Sequence, residues 1–347
     1  MIRPRVLLAL LAILVVVVAD RAPARPQDPP PDDRPRAVIG LGDSTVAGEG
    51  AGDYAPGTRG ADGNACHRSA NAAIAQLRLP GVTERVNLAC SGAGSTAVAL
   101  QAGQPSQASR LTAVARRYRV EAVVLAVGAN DAPRFADIVL RCVEAWAASK
   151  RGAATAPSCS QQLAGEWTER LNAMAPRVAR AVTDVQRVMG GAGYAATEYD
   201  LVLQSYPSPV TERIEPALQD LSGCPLRLED LTWLRTVAVP QLSTALRGVA
   251  ERTGSRFLDL SRAAEGHEAC AAGSDEEWMT RLTVDFEILR QEDSGLRAVA
   301  ESFHPNATGH VRIAACLGAF LRTAQREAAC RPDGDALRLR PLVTTSP

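Results

Sequence analysis

Aromatic residues make up only 4% of this chain of 347 residues, and no stretch interleaves them with arginine. Neither sign of charge dominates, since 38 basic side chains face 38 acidic ones with no long block of either. A nucleic-acid partner ordinarily leaves a basic surplus, so polyanion binding is not expected. The few aromatics also argue against a long sugar-stacking platform; Trp146, Trp167, Trp233 and Trp278 are scattered at helical positions that suit packing. No Cys-x-x-Cys pair occurs, and none of the four histidines stands at zinc-finger spacing from a cysteine pair, so neither a metal nor another cofactor is expected. The Gly-x-Ser-x-Gly elbow of the α/β-hydrolases is missing too, which closes that route to a serine hydrolase.

What is present begins at the N-terminus. Arg3 and Arg5 precede an apolar run of 14 residues, Val6 to Ala19, followed by small residues and prolines. This is the layout of a secretory signal peptide, assigned to residues 1–24. The run is shorter than the roughly 20 residues that cross a bilayer, and an uncleaved membrane anchor is the alternative reading. Residues 25–35, rich in Pro and Asp, read as a disordered leader. Eight cysteines follow: Cys66, Cys90, Cys142, Cys159, Cys224, Cys270, Cys316 and Cys330. An even count in an exported chain points to disulfides, although spacing alone does not choose the pairs. The expected location is therefore secreted or extracytoplasmic.

Short β-rich apolar runs bounded by turn residues lie at 37–41, 86–89, 122–127, 201–204 and 256–260. Between them, residues 70–79, 111–118, 135–148, 161–189, 231–252 and 308–329 repeat apolar side chains at three- and four-residue steps. Continuous apolar strands alternating with helices predict an α/β fold, a parallel sheet covered on both faces. Right-handed crossovers then bring the loops that follow the strands to one edge, where a site is expected. A single domain spans 36–330, with an irregular excursion at 261–303 stapled by Cys270 and a flexible tail at 331–347.

Three strand-end loops carry the chemistry. The first strand runs into Gly42-Asp43-Ser44, delivering a hydroxyl that can serve as a nucleophile; a plain turn or helix cap is the bland reading of the same residues. The second runs into Cys90-Ser91-Gly92-Ala93-Gly94, whose backbone N–H groups can face a developing oxyanion, with Ser91 and Ser95 as rival nucleophiles. The third ends in Gly128-Ala129-Asn130-Asp131, which offers a carboxamide donor. Late in the chain, His304-Pro305-Asn306 precedes the last helix, and the proline restricts the direction in which the imidazole leaves the chain. His67, His267 and His310 are expected to be surface or packing residues.

Together these blocks resemble the SGNH, or GDSL-type, hydrolase family, and within it the exported actinobacterial esterases and lipases. The matching pieces are Gly42-Asp43-Ser44, Gly92 with its neighbours, Gly128-Ala129-Asn130-Asp131 and His304-Pro305-Asn306, in the family's order across almost the whole chain. The resemblance implies a flavodoxin-like three-layer α/β/α sandwich with a five-stranded parallel sheet. It implies Ser44 as nucleophile, His304 as general base, and an oxyanion hole made by the N–H groups of Ser44 and Gly92 with the Asn130 amide. Two positions depart from the family pattern. Ala129 replaces a glycine, and Glu301 stands where an aspartate usually precedes the histidine by three residues. Residue 301 is expected to orient His304, through its side chain, which we favour, or through its backbone oxygen. The resemblance also suggests the pairs Cys66–Cys90, Cys142–Cys159 and Cys224–Cys270, with Cys316–Cys330 as a fourth.

The expected activity is hydrolysis of carboxylic esters by a metal-free acyl-enzyme mechanism, in a monomer without an obligate protein partner. Lipid esters, short acyl esters and acylated glycans all suit that chemistry. A non-catalytic envelope binding protein and an acyltransferase using the same acyl-enzyme are the alternatives.

Overall fold

The structure, a computed structural model, describes residues 33–60, 63–152, 156–283 and 299–342. The expected signal peptide and most of the leader lie outside the described residues. The end of the leader is docked: Arg34 donates to the carbonyls of Ala115 and Arg116, both at 2.8 Å, and to the Tyr194 hydroxyl at 3.0 Å.

The strands are β1 (Arg36–Gly42), β2 (Glu84–Asn87), β3 (Arg119–Ala126), β4 (Asp200–Gln204), β5 (Arg256–Asp259), β6 (Glu327–Asp333) and β7 (Ala336–Arg340). They form one sheet in the order β2-β1-β3-β4-β5-β6-β7. β1 to β6 run parallel, and β7 returns antiparallel to β6. The helices are α1 (Ser44–Ala47), α2 (Ala73–Gln76), α3 (Ser95–Val98), α4 (Gln107–Arg117), α5 (Phe135–Lys150), α6 (Cys159–Gly191), α7 (Leu228–Trp233), α8 (Val239–Thr253) and α9 (Ala307–Leu321).

Side-chain alternation along the strands separates two apolar layers. Ile39, Leu41, Val123 and Leu125 pack with Leu111 of α4, Val178 and Val182 of α6 and Leu246 of α8. Val38, Val124, Val202 and Leu258 pack on the other face with Ile74 of α2 and Ile313, Leu317 and Phe320 of α9. This is the three-layer α/β/α arrangement, with helices burying both faces of the sheet. Trp167 and Trp278 are almost fully enclosed, and Trp146 and Trp233 are also buried, as packing residues are.

Two expectations need correction. Among the described residues the sheet has seven strands rather than five, and residues 327–340 form a hairpin where the sequence pattern extends a helix to 329 and then a loose tail. The last helix stops at Leu321 because Arg256, from β5, reaches back to the carbonyls of Phe320 and Thr323, both at 2.9 Å. The Phe320 carbonyl also accepts from the Thr323 N–H at 2.9 Å and the Thr323 hydroxyl at 2.8 Å, so near and distant donors together close the end of the helix. The small residues Ala328 and Ala329 then fit a buried strand beside β5, and Asp333-Gly334-Asp335 makes the hairpin turn, with Gly334 at φ +58°.

Disulfides join Cys66–Cys90, Cys142–Cys159, Cys224–Cys270 and Cys316–Cys330. The third lies at the excursion after β5, which contains no regular helix or strand among its described residues. The last ties α9 to β6 across 14 positions. A loop of that size, closed in the unfolded chain, is worth about 3 kcal/mol. Replacing Cys316 and Cys330 together by serine should lower stability by about that amount in guanidinium unfolding; an unchanged midpoint would show that the hairpin is held without the bond.

Candidate active site

β1 lies between β2 and β3, so the chain leaves it on one side and returns on the other. A crevice opens where the strand order reverses, outside the carboxyl ends of β1 and β3. Gly42 closes β1 at φ +131°, and a Cβ there would stand 1.9 Å from the Ala126 carbonyl oxygen. Only glycine therefore permits the exit. The Gln107 amide clamps this residue, accepting from its N–H at 2.7 Å and donating to its carbonyl at 2.8 Å. Asp43 then caps α1 by accepting from the Thr45 N–H at 3.1 Å, which sets Ser44 at the first helical position.

Ser44 Oγ lies 2.8 Å from His304 Nε2. On the far side of the ring, Nδ1 lies 3.1 Å from the Ser302 carbonyl. A carbonyl only accepts, so the proton sits on Nδ1 and Nε2 is left to take the Ser44 hydroxyl proton. The backbone around His304 is fixed by Thr280, whose Oγ1 accepts from the His304 N–H at 3.1 Å and whose N–H donates to the His304 carbonyl at 2.8 Å. Phe303, next to it, is held at φ +61°, a left-handed conformation that a bulky residue adopts only where its surroundings impose it. Burial lowers the His304 pKa from its ordinary value, partly offset by the negative charge of Glu49, the Ser302 carbonyl and Glu301.

Glu301 does not orient His304. Its carboxylate accepts from the Tyr54 hydroxyl at 2.7 Å, and its backbone oxygen accepts from Thr280 Oγ1. The orienting group is the main-chain oxygen one residue later, at Ser302. The positive φ of Phe303 turns the chain so that this carbonyl, rather than a side chain three residues before the histidine, meets the ring.

The other loops converge on the same crevice. Asn130 Nδ2 donates to Ala93 O at 3.2 Å, linking the third loop to the turn that holds Gly92 at φ +76°. An amide nitrogen carries two hydrogens, so one remains for an oxyanion. Asp131 braces this link by accepting from the Ser95 N–H at 3.0 Å and the Ser95 hydroxyl at 2.7 Å. Ser95 and Ser91 are thereby excluded as nucleophiles: each hydroxyl donates to a carboxylate, Ser91 to Glu49, and neither meets an imidazole. His267 Nδ1 lies 2.8 Å from the Glu276 carbonyl, and its ring stacks on Trp278. His310 is buried and accepts from the Ala73 N–H at 3.1 Å, with burial pushing its pKa down to about 4. His67 is not a bystander, since it pairs with buried Glu49 at 2.8 Å. Glu49, Tyr54 and Thr280 carried no signal that separated them from ordinary loop residues.

Beneath Ser44, Tyr206 donates to Asp43 Oδ2 at 2.6 Å and accepts from the Ala129 N–H at 3.3 Å, joining the first and third loops. Burial pushes the Asp43 carboxyl up to about 7 against those hydrogen bonds. Ser44, Asn130 and His304 open into a cavity of roughly 270 Å³, whose wall is formed by Phe135, Val139 and Val143 of α5 and by Val239 and Leu242 of α8, with Met279 and Phe303. Such a wall suits a hydrocarbon chain. Among the described residues, Cys142, Cys159 and Asp230 are grouped closely enough for a metal, but the two sulfurs are bonded to each other.

Lipase 2 of Streptomyces coelicolor is 27% identical over 280 residues, covering 80% of this chain and 82% of the relative. The extracellular lipase of Streptomyces rimosus superposes with a TM-score of 0.51 at 21% identity, covering 79% of this chain and 94% of that structure. Phospholipase A1 of Streptomyces albidoflavus NA297 gives a TM-score of 0.51 at 22% identity, covering 82% and 96%. Residues 41–312 match the GDSL-like lipase/acylhydrolase family, most of the chain and all four motif blocks, and the protein therefore belongs to that family and is a hydrolase of carboxylic esters.

Proposed function

We propose that the protein is an exported serine lipase or esterase that cleaves esters of hydrocarbon acyl groups through an acyl-enzyme on Ser44. The observation that carries this reading is the 2.8 Å contact between Ser44 Oγ and His304 Nε2, with the opposite ring nitrogen committed to a carbonyl. In the first half-reaction Ser44 Oγ attacks the ester carbonyl while Nε2 takes its proton, and the negative charge moves to the carbonyl oxygen. The N–H groups of Ser44 and Gly92 and the free N–H of Asn130 receive that charge, each donor typically worth about 3 kcal/mol of barrier. Collapse expels the alcohol, which takes the proton back from His304. Water then repeats the sequence, activated by Nε2, and releases the acid and the free serine. The Ser302 carbonyl holds the imidazole in the required tautomer throughout.

The apolar wall favours acyl chains over acetyl groups, and the Streptomyces coelicolor relative is itself named a lipase. Export is supported by four disulfides, which persist in oxidising compartments, and by the N-terminal signal pattern. Among the described residues no helix is long and apolar enough to cross a membrane. Every residue given a role in this reading belongs to one chain, which supports a monomer.

Three outcomes test this reading. Ser44→Ala should lose p-nitrophenyl ester turnover and fluorophosphonate labelling while keeping its circular dichroism, and the wild type should prefer octanoate to acetate; activity retained in the variant would end the proposal. Because the base works neutral and its pKa is lowered, kcat/KM should rise with pH through a midpoint below the ordinary histidine value of about 6.5. Glu301→Gln should leave kcat within a few-fold of wild type, since its carboxylate binds Tyr54 rather than His304.

A further inference from the structure

Glu49 is fully buried, lies five residues beyond Ser44 and takes no part in the steps above. Its N–H donates to the Ser44 carbonyl at 3.0 Å, which fixes it to the same turn as the nucleophile. Its carboxylate accepts from the Ser91 hydroxyl and lies 2.8 and 3.0 Å from His67 Nδ1. His67 and Ser91 are held around it by the Cys66–Cys90 disulfide between their neighbours and by the Ser91 N–H, which donates to Cys66 O at 3.2 Å. On its other side the chain presses against the catalytic histidine. Residue 50 is glycine at φ +82°, and a Cβ there would stand 3.0 Å from His304 Cβ and 3.1 Å from Pro305 O.

Triad enzymes place a carboxylate on the ring nitrogen opposite the nucleophile, where it stabilises the imidazolium. Here a neutral carbonyl occupies that position. We propose that Glu49 is the positioning residue that replaces the missing charge, acting on His304 through space from the Ser44 turn and held in place by His67 and Ser91. The inference rests on the acyl-enzyme reading above. The charged and titratable groups facing His304 are Glu49 from the Ser44 turn, Glu301 and its Tyr54 partner, and neutral His310 from α9, with Asp43 at the floor of the same cavity. Those facing Glu49 are His67, Tyr54 and His304. Glu49 leads the charges that oppose the burial-driven lowering at His304, ahead of Glu301. His67 is raised by Glu49, so at mildly acidic pH it is protonated and masks part of the charge that reaches His304.

Two substitutions should therefore move His304 in opposite directions. Glu49→Gln keeps the shape and removes the charge: kcat should fall roughly tenfold with KM unchanged, and the acid-limb midpoint of kcat/KM should move to lower pH. Glu49→Asp should restore part of both. His67→Gln removes the masking charge and should move the midpoint to higher pH. The His304 ring titration, followed by NMR, should shift in the same sense in each variant. Unmoved midpoints and ring titrations in folded Glu49→Gln and His67→Gln would overturn the inference, and His67→Gln alone decides it if Glu49→Gln does not fold. Failure of the serine mechanism itself reads differently, as activity surviving in Ser44→Ala while the ring shifts persist.

Discussion

One hydrogen bond, from Ser44 to His304, joins the exit of the first strand to a loop 260 residues later, and the rest of the molecule exists to hold its two ends in register. The two ends are held by different means. Ser44 stands on the sheet, through a glycine that nothing larger could replace and an amide clamp from Gln107. His304 stands on an irregular loop, and Thr280 compensates by meeting both its backbone N–H and its carbonyl. A site built half on a strand end and half on a loop is as accurate as the weaker half, which explains why so many hydrogen bonds converge on residues 301–304.

The same economy governs the loops after β2 and β3. Asn130 reaches Ala93, Asp131 reaches Ser95, and Tyr206 ties Asp43 to Ala129. Each loop is therefore positioned by its neighbour rather than by its own strand. Placing polar groups this close in a buried crevice is costly unless all are paired, and pairing them fixes a single arrangement. The raised Asp43 and lowered His304 pKa values are the electrostatic trace of that enclosure.

Much of this was readable in the residues. Strands β1 to β5 are legible as apolar runs bounded by turn residues, and the order of the motif blocks places Ser44, Asn130 and His304 at one sheet edge. The hairpin at 327–340 was missed because Ala328, Ala329 and their neighbours have helical composition, and because the residue that stops α9, Arg256, is distant in sequence. Pro332-Asp333-Gly334 is a turn signal, which the reading of residues 331–347 as a loose tail does not use. Glu301 was misassigned because spacing reports which residues are close along the chain, whereas Phe303 at positive φ decides which of them turns toward the ring. Reading His67 as a surface or packing residue, and passing over Glu49, has a related reason: their partnership is made only by folding, beside the Cys66–Cys90 disulfide.

The hairpin has a further consequence at the sheet boundary. A parallel sheet ending at β6 would expose an unpaired row of backbone groups, and β7 covers that row with a strand whose inward Leu337 is buried and whose Arg338 and Arg340 point to solvent. A second molecule approaching this rim meets the Arg338 guanidinium and the Arg340–Asp333 ion pair, charged groups that disfavour strand addition between copies. The closing hairpin thus carries its own guard against fibrillar association between copies.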